Sequence, residues 1–439
     1  MALNPSVMQA VEKLGYRVTV GDVASQAGLE VQVAERDLLV LASEAGGHMQ
    51  VAESGEMAYL FSNNFRDVLR NKYFRLRLQE WWSKIWGVLF YVIRVSFGVV
   101  LIASILLIML AIAAILIALA SSRGDNDNDS GWGGGSDRGM GGMGFWFSPN
   151  WFWIFTPNYN NDRAHHRKSS RNKSEMNFLE SVFSFLFGDG DPNAELNDRR
   201  WKTIGTVIRN HDGAIAAEQV VPYLDDLGDR SQQEFEDYML PVLTRFNGKP
   251  EVSPTGEIIY HFPELQVSAQ QQRSKSAAAY LKESLWQFSR AGSGQLMLAA
   301  GLGGVNLVGA LVLGSLLRDG TIAAQLGGLV AFVGGIYGIL LAYGIGFLGI
   351  PLARYFWIQW RNRGIESRNL QREGRAIALN SSNDILDQKL SFAKQFAAAT
   401  VVDEKDLAYT TESDLTEQEF LNSDKVDAEW RKRLEQSGN

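Results

Sequence analysis

Three stretches of the chain, residues 95–120, 291–317 and 321–353, contain no charged side chain. About 20 apolar residues, rising about 1.5 Å each, cross the roughly 30 Å hydrocarbon core of a bilayer as a helix. Each stretch is long enough, and three of them in one chain point to a membrane protein rather than to three buried helices of a soluble one. The apolar character of the first begins near Trp86, broken only by Arg94, which suits a long helix with a tilted or interfacial start. Only Arg318, Asp319 and Gly320 separate the second stretch from the third, the spacing of a tight transmembrane hairpin. Mean hydropathy over the 439 residues is nonetheless only −0.10, so polar domains must balance the runs.

The hairpin is rich in glycine. Gly334, Gly338, Ala342 and Gly346 recur every four residues and form one small-residue ridge, and Gly301, Gly303, Gly304, Gly309 and Gly314 thin the other arm. Lipid supplies no hydrophobic force between helices, so close backbone contact through small residues is how such helices associate. The ridge is expected to pack within the hairpin; a homo-oligomer seam is the sharper alternative. Asn306, the most polar group of the first arm, is expected to act as interhelical glue rather than as a transport site.

The polar parts repeat. Helices are expected over 5–14, 23–27 and 31–44, with strands over 18–20, 48–52 and 57–61, which is the order of a helix-turn-helix followed by a β-hairpin wing. Asn4 and Pro5 open the first helix directly, and no signal or transit peptide is expected ahead of them. Gly47, Val51, Gly55, Glu56, Tyr59 and Phe61 recur as Gly248, Val252, Gly256, Glu257, Tyr260 and Phe262, all displaced by 201 residues. At the same displacement Glu35 meets Glu236, while farther upstream the second copy carries about four extra residues near 224–232. The glycines suit turns at positive φ and the aromatics suit strand positions over a core.

A winged helix invites a DNA hypothesis, and charge argues against it. Residues 1–61 hold three basic side chains against eight acidic ones, and residues 196–265 hold seven against twelve. Glu35 and Asp37 lie in one candidate recognition helix, and Glu234, Glu236 and Asp237 in the other. DNA affinity rests on basic contacts to phosphate, so these faces repel it and nucleic acid is an unlikely partner. The copies read as protein-interaction modules. The chain has no cysteine, which removes disulfides, thiolate metal ligands and a cysteine nucleophile. No GxSxG, HExxH or Walker lysine is found, and no enzyme, cofactor or metal is expected.

Between the first run and the second copy, Asp125, Asp127 and Asp129 open a glycine-rich linker whose spacing departs from a calcium loop at Ser130 and Ser136. Residues 145–157, FWFSPNWFWIFTP, suit either a membrane–water interface or an aromatic cover on a neighbouring domain. Arg163, Arg167, Lys168, Arg171 and Lys173 surround His165 and His166 and read as a basic, lipid-facing collar. The apolar stripe of Phe178, Leu179, Val182, Phe183, Leu186 and Phe187 fits an interfacial helix, or equally the first core helix of the second copy. Positive charge around Arg66–Lys84 and again around Arg354–Arg375 places both termini inside, which three single crossings cannot satisfy. Either the aromatic segment helps the chain return, or the first run is not a simple crossing, or one charge signal misleads.

The linker with its aromatic segment, GWGGG…GMGGMGFWFSPNWFWIF, the glycine-rich hairpin and the tail FAAATVVDEKDLAYTTESDLTEQE resemble a family of uncharacterised cyanobacterial and chloroplast integral membrane proteins. Plant relatives carry a loose label of iron–sulphur cluster biosynthesis, from which this cysteine-free chain departs. The resemblance implies a thylakoid or plasma membrane of a cyanobacterium, and the charge pattern leads us to expect both termini in the cytoplasm. The fold expected is an α+β multidomain membrane protein. It has a winged-helix-like domain at 1–64, a basic helix and first transmembrane helix at 65–121, and a linker and collar at 122–176. A second winged-helix-like domain follows at 177–268, then a helical connector at 269–290, the transmembrane hairpin at 291–353 and a polar helical tail at 354–439, either solvated or an adaptor strap for a partner. The function expected is that of a non-enzymatic scaffold or assembly factor that meets membrane lipids and a membrane or peripheral protein. A membrane-tethered transcription regulator and an oligomeric channel or transporter subunit are the alternatives.

Overall fold

A computed structural model describes residues 3–72, 74–122, 176–225, 236–271, 274–318, 325–380, 384–403 and 407–414, with scattered positions at 416, 427, 430–431 and 433–434. The chain is mixed, rich in helices with small sheets, and divides into two compact units. The first gathers Met1–Trp81, Pro192–Leu285 and Arg363–Asn439, and the second Trp82–Asp191 and Trp286–Asn362.

The first unit begins with α1 (Pro5–Lys13), β1 (Arg17–Val18), α2 (Val20–Ala27), α3 (Val31–Ala45), β2 (His48–Ala52), β3 (Met57–Leu60) and α4 (Phe65–Lys72). Local chemistry sets these bounds. The Asn4 side chain accepts from the Ser6 amide, and Thr19 and Asp22 form a reciprocal box at the start of α2. Gly28 and Gly46 end α2 and α3 in the left-handed region.

The second copy has α7 (Leu196–Asn210), β4 (Ala214–Ile215), α8 (Leu240–Phe246), β5 (Lys249–Val252), β6 (Ile258–His261), α9 (Pro263–Gln266) and β7 (Val267–Ser268); α5 and α6 belong to the second unit below. Its hairpin reproduces the first in register: His48↔Leu60 and Val51↔Met57 become Lys249↔His261 and Val252↔Ile258. Gly15 and Tyr16 before β1, and Asp212 and Gly213 before β4, all take positive φ. The amides of Phe61 and Phe262 then bond back to Tyr16 and Gly213. Where the copies differ, proline gives part of the reason. α2 is replaced by two 3₁₀ turns, at 217–219 and around Pro222, and α8 starts at Leu240 with Pro241 in its first turn, shortening the counterpart of α3. Both copies feed one continuous core, from Val11, Val23, Leu38 and Tyr59 to Ile208, Val220, Phe246 and Phe262.

The tail is not wholly helical, contrary to expectation. After α12 (Asp384–Phe396) come β8 (Thr400–Val401), parallel to β7, and β9 (Leu407–Thr410), which joins the outer edge of β2 to give the order β1-β3-β2-β9. In the first copy the Met49 amide faces this edge and donates to the Thr411 hydroxyl. Its counterpart in β5 is Pro250, which has no amide hydrogen to offer. The expected helical connector at 269–290 holds no helix among its described residues. Its peptide groups are satisfied from outside instead. Asn210, Asn193 and Asn369 each accept from the amide and donate to the carbonyl of one residue, Lys275, Ser284 and Glu283 respectively.

The second unit is built on three helices long and apolar enough to cross a membrane: α5 (Phe74–Ser122), α10 (Ser293–Leu316) and α11 (Gly328–Asn380). The short apolar α6 (Phe178–Phe187) packs with them, not in the second copy where it was placed from sequence. Its phenylalanines decide this: Phe183 and Phe187 meet Phe97 edge to face, and Phe185 packs on Phe288 and Phe347. Arg354 donates to the Ser184 and Phe185 carbonyls at the end of α6, and Arg94 pairs with Asp189 just beyond it.

Candidate functional site

A cleft of about 170 Å³ opens in the first unit between the copies. It is lined by Thr19, Val20, Gly21, Val31, Glu35, Glu56, Met57, Glu264 and Val267. Helix α3 presents Glu35 on its exposed side, the wing turn brings Glu56, and α9 of the second copy brings Glu264. Asn247 Nδ2 donates to Glu264 at 2.8 Å. No lysine, arginine or histidine is among the lining residues. Burial, with the Glu264 charge second, pushes the Glu56 carboxyl above its ordinary value.

The floor of the cleft is rigid. A Cβ on Gly21 would run into the Glu264 carbonyl, so only glycine lets α2 and α9 approach this closely. The Thr19 hydroxyl donates to the Val267 carbonyl at 3.1 Å, and Asp22 accepts from the Ala269 amide at 2.9 Å. Arg209 joins the same knot, bonding Asp22 at 2.5 Å and the Val267 carbonyl at 2.9 Å.

The wing residues divide into support and surface. Gly55 and Gly256 turn the two hairpins with φ of 86° and 89°. Tyr59, Phe61, Tyr260 and Phe262 are buried in the core. Glu56 lines the cleft, whereas Glu257 faces Lys389 of α12 at 3.5 Å. Lys389 Nζ also lies 2.8 Å from Glu218 and 2.9 Å from Glu236. Burial works against its charge, but the hydrogen bonds and charges of Glu218 and Glu236 outweigh it and hold the ammonium well above the ordinary lysine value. Burial and then Glu236 push the neighbouring Tyr260 phenol up.

The expected membrane residues are placed differently from one another. Gly338 and Ala342 are exposed, Gly334 and Gly346 half-buried, and a Cβ on Gly338 would meet nothing. The close contacts of the hairpin run instead through Gly303 against Phe347, Gly314 against Tyr337, and Gly344 against Leu307. A Cβ on Gly338 or Gly346 of the ridge would meet no side chain of the other arm, and large side chains fill the grooves at Gly303, Gly314 and Gly344. Asn306 is buried, and its oxygen accepts from Ser104 of α5 at 2.7 Å rather than from the other hairpin arm. Arg163, Arg167, Lys168, Arg171 and Lys173, the aromatic segment 145–157 and the acidic linker lie outside the described residues.

Among the described residues no group of three His, Asp or Glu side chains could hold a metal ion. The cleft offers three carboxylates and apolar walls, the chemistry of a receptor for a cation with a hydrocarbon stem. Glu264, Glu218 and Lys389 were not singled out from sequence; Glu264 sits two residues beyond the recurring Phe262, and nothing local marks it.

No family model matches the chain, and no solved structure matches it. A protein of Arabidopsis thaliana, described as uncharacterized and chloroplastic, is 39% identical over 442 aligned positions, 98% of this chain and 82% of the relative.

Proposed function

The chain belongs to the same family as that chloroplastic Arabidopsis thaliana protein, and from that premise we propose that it is a non-enzymatic, membrane-anchored interaction or assembly factor of a photosynthetic membrane. We read the duplicated copies as winged helices fused into one protein-binding body. The observation that carries this reading is the three-carboxylate cleft, built by both copies together and served by no cation among its lining residues. Acidic lining repels phosphate backbones and attracts basic protein surface, which favours a protein partner over the DNA-binding alternative. Anchoring at a membrane raises the local concentration of such a module near membrane partners.

The three apolar helices support the anchor. Ser104 bonds Asn306, and a Cβ on Gly309 would meet Ile108, so α5 and α10 run parallel, while Gly303–Phe347 and Gly314–Tyr337 set α11 antiparallel to α10. Leu179 packs against Gly98 near the start of the first apolar run. Residues 122 and 176 then end at opposite ends of this bundle. With α5 in a bilayer, residues 122 and 176 face opposite sides of it.

The native chain has no cysteine, so single-cysteine variants label cleanly. In oriented membranes an impermeant maleimide is expected to reach Ser121→Cys and Arg318→Cys from one side, and Asn177→Cys and Arg290→Cys from the other. Labelling of residues 121 and 177 from the same side overturns this placement of α5 and α6 in the bilayer. The interaction role is tested by affinity purification after mild detergent extraction; a solitary monomer with no reproducible partner overturns it.

A further inference from the structure

The two copies hold corresponding carboxylates in different company. At the displacement of 201 that aligns the hairpins, Glu35 and Glu56 of the first copy correspond to Glu236 and Glu257 of the second. The correspondence is structural as well: the helices before the hairpins end on left-handed Gly46 and Asn247, and the turns on Gly55 and Gly256. In the second copy this carboxylate pair, joined by Glu218, surrounds the ammonium of Lys389, whose side chain is 8% exposed. In the first copy the pair is joined by Glu264 instead, and among the described residues no cationic side chain lines the space between them.

We propose that the cleft of the first copy binds the ammonium of a lysine presented by a partner protein, as its counterpart in the second copy binds Lys389. This rests on the interaction-module reading and names the chemistry that module recognises. Size agrees: about 170 Å³ is one side chain's worth, well below the roughly 300–1,000 Å³ of cofactor and drug sites. Shape agrees too, because Val20, Val31, Met57 and Val267 offer apolar wall to a methylene stem while the carboxylates meet its head. An ammonium has three donors that rotate to separate acceptors, which suits three carboxylates from three elements better than the flat fork of a guanidinium. The carboxylates do not converge as a metal shell. Burial, and then the Glu264 charge, raise the Glu56 carboxyl, and an ammonium placed between the two would relieve that repulsion. The outer sheet face is also closed differently: α12 covers Ile259 of the second copy, whereas Val267, Ala269 and Val402 cover Ala58 of the first. The partner therefore need supply only the side chain, not a second α12.

The test uses the full chain in detergent and a fluorescent peptide of residues 384–396, DILDQKLSFAKQF, the segment that presents Lys389 to the carboxylates of the second copy. Its control carries Lys389→Gln and Lys394→Gln. The lysine peptide is expected to bind about tenfold more tightly than the control, an advantage lost in the Glu35→Gln/Glu56→Gln variant and kept in Glu257→Gln. Absence of saturable binding, equal binding of the two peptides, or an advantage that survives the double variant overturns the proposal. So does an advantage lost with Glu257→Gln, which marks displacement of α12 from the second copy. Competition by submillimolar calcium marks a metal-ion site and overturns it as well. Carbonate extraction of the same membranes reads the anchor separately, so failure of the membrane reading is told apart from failure of the cleft.

Discussion

Arg209 of the second copy reaches across to Asp22 of the first at 2.5 Å, and the Asp22 side chain is 2% exposed. Asp22 is at once the N3 residue of the α2 capping box, the acceptor of the Ala269 amide and the counter-charge of Arg209. One carboxylate thus satisfies a helix start, the extended segment that follows the second copy and a guanidinium of that copy. The duplication is fused by polar bonds as much as by its shared core.

Asp22→Ala is expected to cost about 3–5 kcal/mol of stability, because it strands a buried guanidinium and two amides together. Asp22→Asn keeps part of the cap and should cost less. Denaturant unfolding of the full chain measures both; an Asp22→Ala midpoint unchanged from the native one would show that the knot is dispensable.

Gly205 sets two effects of opposite sign against each other. In the middle of α7, alanine gains about 1 kcal/mol of helix propensity over glycine. A Cβ there, however, would meet the Ser25 Cα at 2.9 Å, backbone that cannot swing aside. Overpacking of this kind costs about 1–3 kcal/mol, so Gly205→Ala is expected to destabilise by up to about 2 kcal/mol. Gly338→Ala meets nothing and should be neutral or slightly stabilising. The two thermal midpoints, compared side by side, decide it.

Two carboxylates should give opposite pH signatures. The Arg368 hydrogen bond, opposed by burial and aided by Arg372, holds Glu283 below its ordinary value of 4.5. Its contribution to stability is full above 4.5 and disappears as pH falls through the depressed value. Glu56 is raised, so its charge weakens the fold at neutral pH, and that penalty vanishes as pH falls below 4.5. Glu283→Gln should therefore lower the unfolding midpoint at pH 7 and matter little in acid. Glu56→Gln should raise it at pH 7, again with the difference closing in acid. Midpoints measured from pH 7 to pH 3 test both signs.

Features set by short-range chemistry were readable in the sequence. The helix start at Asn4, the turns at Gly55 and Gly256 and the repeated hairpin depend on residues within a few positions of one another, whereas the capping box at Thr19 starts α2 at Val20, inside the expected strand 18–20 and ahead of the expected helix 23–27. What escaped depends on distant partners. The alanines and leucines of residues 276–285 favour helix by propensity, yet asparagines from α7, α11 and residue 193 take up the peptide groups and draw the segment out. Leu407–Thr410 becomes a strand only because the edge of β2 awaits it, more than 300 residues earlier in the chain. The cleft was half legible. Glu35 and Glu56 stood out as acidic positions in a repeat, but Glu264 completes it only when the copies meet, and Lys389 reveals its use only in three dimensions.

Inside the apolar bundle the bond from Ser104 to Asn306 joins α5 to α10, and Leu101 and Ile108 on either side of Ser104 both sit in apolar clusters. Asn306 is 1% exposed, and its Nδ2 finds no acceptor among the described residues. Replacing Ser104 by alanine leaves the remaining amide oxygen unsatisfied too, so the amide becomes wholly a liability in an environment that cannot hydrate it. Interhelical bonds of this kind measure about 0.6 kcal/mol on average and reach about 1.7, because the separated helices in the membrane also find partners. Ser104→Ala and Asn306→Ala should each destabilise, Asn306→Ala more because it also empties space beside Gly344. The double variant should cost less than the two added together, by about 0.6–1.7 kcal/mol. Full additivity in detergent unfolding would reduce Asn306 to packing alone and remove the polar link between α5 and the hairpin.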